Sequence, residues 1–411
     1  MKSSFLIDKL VYGIGLTSLF FLPYFYGIRI ADILLFILVY ILMLNALLRP
    51  PKIKYASMLI LFISLIYFLI TMMGAVLNTP DSLKSIMVSL RYMAILIAVF
   101  FLYLNRSNSF ELFIKGFRDS AIINVLWMIM DNFYYYILGN FDSINEVIFE
   151  KYAIGVEHSL TNRGNYLGDN EGLLLRSAGL GWDPGGIGPA LIIAYIILDR
   201  KNNKLKYFIL MGVFLCMSRT SILILFLYLM YRYLARKNIQ VAHVFIVMIA
   251  IIFILSSFFL SPSNSAFDEG TIRHIKYFSG LAQLTYAKFS EILFGFGYRG
   301  TGVFFLKYVE WLKYHDFSLG DDSVVESTLV NLFLYGGIFG IFYNALLYLF
   351  LIKVPNRIYS DLVIFLLILY IGYTFENLWT VFLTYAMLFE TINKYIHAKI
   401  EKQNIVLDGL M

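Results

Sequence analysis

The sequence has a single cysteine, Cys216, among its 411 residues. That excludes an intrachain disulfide and a thiolate metal cluster. Charge is also scarce. Only 15% of residues are charged, against about 25% in soluble chains. No HExxH, Walker loop, GxSxG or Cys/His metal spacing appears, so none of the short patterns that announce zinc, nucleotide-phosphate or serine-hydrolase chemistry is available. There is no internal repeat, no low-complexity stretch and no soluble domain. The two-residue alternation of a membrane β-barrel is missing as well.

What the chain does have is apolar surface. Hydrophobic residues make up 60% and aromatics 18%, with 38 Phe and 31 Tyr, and the mean hydropathy is +0.75. A water-soluble particle of this size cannot hide that much, so a soluble enzyme is excluded. Only helices or closed barrels satisfy their backbone in lipid, and the long continuous runs select helices. The expected fold is therefore an all-α polytopic integral membrane protein. About twelve transmembrane helices are placed near 10–28, 31–48, 56–77, 85–103, 119–138, 186–198, 207–218, 220–234, 239–260, 328–350, 359–375 and 378–393. The whole of 1–411 reads as a single membrane domain. The 33 Lys and Arg against 27 Asp and Glu leave a net charge of +6, read here as loop bias and not as nucleic-acid affinity. Lys2 and Lys9, Arg49 and Lys52, Arg106, Lys115 and Arg118, Arg200 and Lys201, Arg232 and Arg236, and Lys394 and Lys399 all fall on one side. The positive-inside rule makes that side cytoplasmic, with both termini on it. The first span is expected to be an uncleaved anchor, because no small-residue cleavage site follows it.

Two loops break the pattern, 139–185 and 261–327. Both are expected outside the cytoplasm, and both far exceed the median loop of about 4–6 residues. Long ordered loops usually carry function. Arg219 lies in "CMSRTSIL" between two short apolar runs, where the chain is expected to turn back near Ser218, Arg219 and Thr220. An arginine there suits an anion clamp, since the guanidinium fork matches phosphate. It could instead be a structural arginine paired with a buried carboxylate such as Asp131 or Glu376. Arg176 heads "RSAGLGWDPGGIGPA", whose glycines allow close backbone approach, and Trp182 offers a flat face for a sugar ring. A snorkelling Arg and an interfacial Trp are the plain alternative. The second long loop holds Arg273 and Tyr277 in "GTIRHIKYFSG" and Arg299 in "EILFGFGYRGTG". Tyr277 and Arg299 are taken with Trp182 as sugar contacts. The GxGxxG at Gly295, Gly297 and Gly300 lacks a strand–helix unit, so a tight glycine turn is expected there and not a dinucleotide site. His315, Asp322 and Glu326 follow as candidate general bases. Asp321 and Asp322 can equally be a polar helix start.

In the order of these features the chain resembles the O-antigen polymerase and O-antigen ligase superfamily of bacterial envelopes. Twelve apparent spans, the "SRTS" arginine, two long outer loops, "LFGFGYRG" and a "GGIFG" turn within the span after the second loop carry the resemblance over roughly residues 85–350. It implies a GT-C-type membrane glycosyltransferase in the bacterial inner membrane, with its active site facing the periplasm. The implied donor is a glycan on undecaprenyl diphosphate. The implied acceptor is the non-reducing end of another lipid-linked repeat unit for a polymerase, or lipid A-core for a ligase. Neither metal nor other cofactor is implied, and a chain-length regulator protein is an implied partner. By similarity Arg219, Arg176 and Arg273 would hold the diphosphate. Ligases carry a His-Asn/Ser pair before the Gly-x-x-Gly of the following span, and this chain has Glu326-Ser327 at that place, which favours a polymerase. A transporter or flippase for a lipid-linked sugar is the alternative class, although no two related halves are evident. A non-catalytic subunit of an assembly machine is a third.

Overall fold

The computed structural model describes residues 2–20, 24–25, 28–48, 50, 55–79, 82–105, 109–138, 153–154, 166–167, 174–175, 177–181, 184–238, parts of 240–249, 287–298, 328–351 and 378–390. These residues are helical apart from turns and two-residue strands. The elements are α1 (Lys2–Thr17), β1 (Tyr24–Phe25), β2 (Ile28–Arg29), α2 (Ile30–Leu48), α3 (Tyr55–Asn78), α4 (Ser82–Asn105) and α5 (Ser109–Ile137). Next come β3 (Ala153–Ile154), β4 (Tyr166–Leu167), β5 (Leu174–Leu175), α6 (Pro184–Arg200), α7 (Leu205–Leu215) and α8 (Arg219–Lys237). The last are α9 (Phe289–Phe294), α10 (Thr328–Leu351) and α11 (Leu378–Glu390). Among the described residues, three stretches are long and apolar enough to cross a membrane: Ile30–Leu48, Ser57–Asn78 and Ser85–Leu104. Leu205–Leu215, Asn331–Leu347 and Leu378–Glu390 are shorter apolar helices. Phe36, Tyr40, Phe62, Leu69, Val76 and Met87 point outward. Apolar side chains on helix exteriors are what a lipid solvent allows, so the fold is that of a membrane-embedded helical protein.

Hydropathy located most of these helices and misplaced the bounds of two. The first span, expected at 10–28, is a helix over Lys2–Thr17 followed by a turn. Thr17 Oγ1 donates to Gly13 O at 2.8 Å and Ser18 Oγ to Gly15 O at 2.8 Å, closing the last turn. Pro23 then follows in the sequence and could not continue a helix. The fifth span, expected at 119–138, starts ten residues earlier at Ser109. The expected spans at 359–375 and, beyond a few short helical pieces, 239–260 lie outside the described residues.

The chain forms two compact units. The first comprises 1–51 and 101–229. In it α1 packs on α5 through reciprocal glycines. A side chain at Gly15 would strike the Phe113 carbonyl, and one at Gly116 would strike the Tyr12 carbonyl. Small residues let two backbones approach without a hydrophobic driving force. Beside them Tyr12 Oη donates to Asp119 Oδ2 at 2.9 Å, and Arg118 pairs with Asp119 at 2.6 Å. β1 pairs antiparallel with β2 and parallel with β3, while β4 and β5 form an antiparallel ladder within the first long loop. α6 and α7 form a helical hairpin. Asn202 makes its turn at φ 49°, and Lys206 Nζ meets Asp199 Oδ1 at 2.9 Å across it.

The second unit comprises 52–100 and 230–411. Its centre is a break in α10 at Gly337, whose φ 58° and ψ −145° are non-helical. Glycine is needed twice over here. The positive φ disfavours a β-carbon, and such a carbon would strike the carbonyls of Ile292 and Leu293 in α9. The chain after α9 answers the break: Phe296 N donates to Leu334 O at 2.7 Å and Gly297 N to Tyr335 O at 3.0 Å. Gly295 and Gly297, at φ 67° and 74°, make the tight turn that allows this. The end of α3 holds the same turn, with Asn78 Nδ2 on Gly295 O and Thr79 Oγ1 on Phe296 O, both at 2.7 Å. Around the break lie buried tyrosines. Tyr67 stacks on Tyr343 at 4.1 Å, and Tyr343 bonds Ser64 at 2.9 Å and Tyr385 at 2.7 Å.

Candidate functional site

Of the candidate catalytic, diphosphate-binding and sugar-binding residues, Arg219 alone falls on a described element, and the carboxylate named as its possible partner, Asp131, lies on α5. Arg219 is the first residue of α8. Arg176, Trp182, Arg273, Tyr277, Arg299, His315, Asp322 and Glu326 lie outside the described residues, as does Glu376.

Arg219 follows a strained turn. α7 ends at Leu215, and Met217 takes φ 43°. For a non-glycine residue that left-handed conformation is costly, and it persists only where the surroundings over-determine it. Ser218 then caps α8. Its Oγ accepts from Ser221 N at 3.3 Å, and its carbonyl accepts the first helical bond, from Ile222 N at 3.0 Å. The serine of "SRTS" thus has a structural job: it starts the helix that Arg219 opens. Gly188 of α6 sits against Ser221, where a side chain would collide with Ser221 Oγ. The Gly-Pro run after Trp182 therefore brings α6 close to the start of α8.

The segment following Arg176 in sequence meets this turn directly. Ser177 N donates to Leu215 O at 3.2 Å. α5 grips the chain on both sides of Arg176 at three points. Leu175 N donates to Tyr136 Oη at 2.8 Å, Ser177 Oγ to Asp131 Oδ2 at 2.8 Å, and Leu180 N to Asn124 Oδ1 at 2.8 Å. Gly179, at φ 60°, turns the chain there, and a β-carbon on it would press on Asn124 Oδ1. Ser177, Asn124 and Asp131 are all buried. The arrangement is a non-helical backbone segment fixed by polar side chains inside an apolar bundle, with the N–H groups of Ser177, Leu180 and Gly181 bonded.

Sequence reading passed over Asn124, Ser177 and Tyr136, and it named Asp131 solely as a possible arginine partner. The signal was there, since Asn124 and Asp131 stand seven apart in an apolar run and so share a helix face. It also passed over Arg91, an arginine inside the apolar stretch Ser85–Leu104 whose Nε is buried. A charge within a span is a functional signal by default. Among the described residues no three His, Cys, Asp or Glu side chains gather as a metal-ligating group. No protein-family model, curated protein or solved structure matches the chain.

Proposed function

We propose that the protein is a GT-C-type glycosyltransferase of the bacterial inner membrane, an O-antigen or surface-polysaccharide polymerase. It takes a glycan from undecaprenyl diphosphate at the periplasmic face and adds it to the non-reducing end of a second lipid-linked repeat unit. The observation that carries this reading is the bond from Ser177 N to Leu215 O. It joins the segment after Arg176 to the turn before Arg219, two arginines 43 positions apart in sequence that the resemblance assigns to one diphosphate.

In the reaction the acceptor hydroxyl oxygen attacks the anomeric carbon. The bond from that carbon to the phosphate oxygen breaks, and undecaprenyl diphosphate leaves with the electron pair. Arg176, Arg219 and Arg273 stabilise the charge on the departing oxygen, an effect that grows where water is excluded. The hydroxyl proton goes to Glu326, Asp322 or His315. A single displacement inverts the anomeric centre, and retention in the product linkage would overturn that mechanism.

The test is reconstitution. Protein in liposomes is given the undecaprenyl-diphosphate repeat unit without nucleotide or metal, and products are separated on a gel. A ladder spaced by one repeat unit, lost in Arg219→Ala, is the expected result. No ladder from an active substrate preparation overturns the stand-alone polymerase. Ligation to lipid A-core is then the next reaction to assay. One observation favours a transporter instead, since broken helices such as α10 line substrate sites in transporters. Flipping of the lipid-linked repeat unit across the liposome, without elongation, would establish that reading.

A further inference from the structure

Asp131 is a carboxylate 1% exposed in the last two turns of α5. Burying such a group is costly unless it is well bonded, so its placement calls for a reason. Its Oδ2 accepts from Ser177 Oγ at 2.8 Å. In this bond the serine hydroxyl is the donor and the carboxyl oxygen the acceptor. That leaves the lone pairs of Ser177 Oγ for the Gly179 N–H, which lies 3.4 Å away at the positive-φ turn. Ser177 N meanwhile reaches Leu215 O at 3.2 Å. Asp131 thus sets the direction of the Ser177 hydroxyl toward the Gly179 turn, and it holds in place the residue whose backbone N–H reaches the turn that leads to α8.

We propose that Asp131 is a positioning residue: through Ser177 it seats the segment that follows Arg176 against the Leu215–Ser218 turn from which Arg219 opens α8. Its effect on chemistry rests on the diphosphate-transfer reading above; its effect on the backbone does not. Two further bonds to α5, from Leu175 to Tyr136 and from Leu180 to Asn124, flank Ser177, whose N–H ties the segment to the end of α7.

The chain supplies its own reporter. Cys216 is its only cysteine, it is fully buried, and it adjoins the Leu215 carbonyl that Ser177 holds. Labelling by N-ethylmaleimide therefore reads the seating of this segment without any assay of activity. Asp131→Ala and Ser177→Ala are expected to label about tenfold faster than the wild type, the change in opening equilibrium that one lost hydrogen bond gives. Asp131→Asn, which keeps an acceptor oxygen, should stay near the wild-type rate. Tyr343→Phe, a buried substitution in the other unit, controls for general loosening and should not move it. Wild-type labelling in Asp131→Ala overturns the proposal. So does equal acceleration in Asp131→Asn, which would make the charge and not the hydrogen bond the operative feature.

In the elongation assay Asp131→Ala and Ser177→Ala should lower kcat about tenfold with little change in KM, and Asp131→Asn should recover it. Faster labelling with unchanged kcat would refute the role in transfer. If the wild type makes no product at all, the polymerase reading falls, and the labelling rates alone decide whether Asp131 seats the segment.

Discussion

Ser218 caps α8 and Arg219 opens it, so the two neighbours in "SRTS" answer to different measurements. Ser218→Ala removes the acceptor for Ser221 N and should cost about 1 kcal/mol of stability, read as a lower melting temperature in detergent, while elongation persists. Arg219→Lys keeps the charge but loses the bidentate fork. It should leave the melting temperature unchanged and lower elongation about 100-fold, the scale seen when one preorganised donor is removed from a developing oxyanion. Elongation at the wild-type rate in Arg219→Lys would refute the clamp. The arginine was visible in the sequence because a charge between apolar runs is conspicuous. The cap was not, because a serine in such a run reads as filler until the turn at Met217 is seen. The bond from Ser177 to Asp131 spans 46 positions, and no local pattern encodes a pairing of that separation.

At the scale of elements, hydropathy found what hydropathy can measure. α2, α3, α4 and α10 are continuous apolar runs, and their observed bounds fall within a few residues of those expected. α5 begins among Glu111, Lys115, Arg118 and Asp119, which no apolar window admits. That turn is stabilised by its packing on α1 and by the bond from Tyr12 to Asp119. The glycine turn at 295–297 was expected and is observed. The resemblance placed a turn at "GGIFG" within this span, and the break stands there, at Gly337. Hydropathy alone did not show it, because a glycine inside an apolar run of full span length looks like ordinary small-residue packing. Gly337→Ala tests it. In a regular helix that change would stabilise by about 0.5–1 kcal/mol. At φ 58°, against the carbonyls of Ile292 and Leu293, it should destabilise by about 1–3 kcal/mol. Gly13→Ala, whose nearest contact would be Leu34 Cδ1 at 3.3 Å, is the mild comparison. A melting temperature raised by Gly337→Ala would show that the break does not exist.

For the molecule as a whole, the distribution of Lys and Arg predicts that both termini face the cytoplasm. A fluorescent reporter that matures only in the cytoplasm should light at either end, and an oxidation-dependent phosphatase should stay inactive there. Phosphatase activity at the C-terminus would require an odd number of spans. The helix break also bears on how such a chain is made. Asn78 and Thr79 donate to Gly295 and Phe296, and Phe296 and Gly297 donate to Leu334 and Tyr335. In all four bonds the donor leaves the ribosome before its acceptor. The carbonyls freed by the broken helix therefore emerge into a membrane where their partners already stand. Insertion of α10 does not have to wait for any later part of the chain to cover an exposed polar backbone.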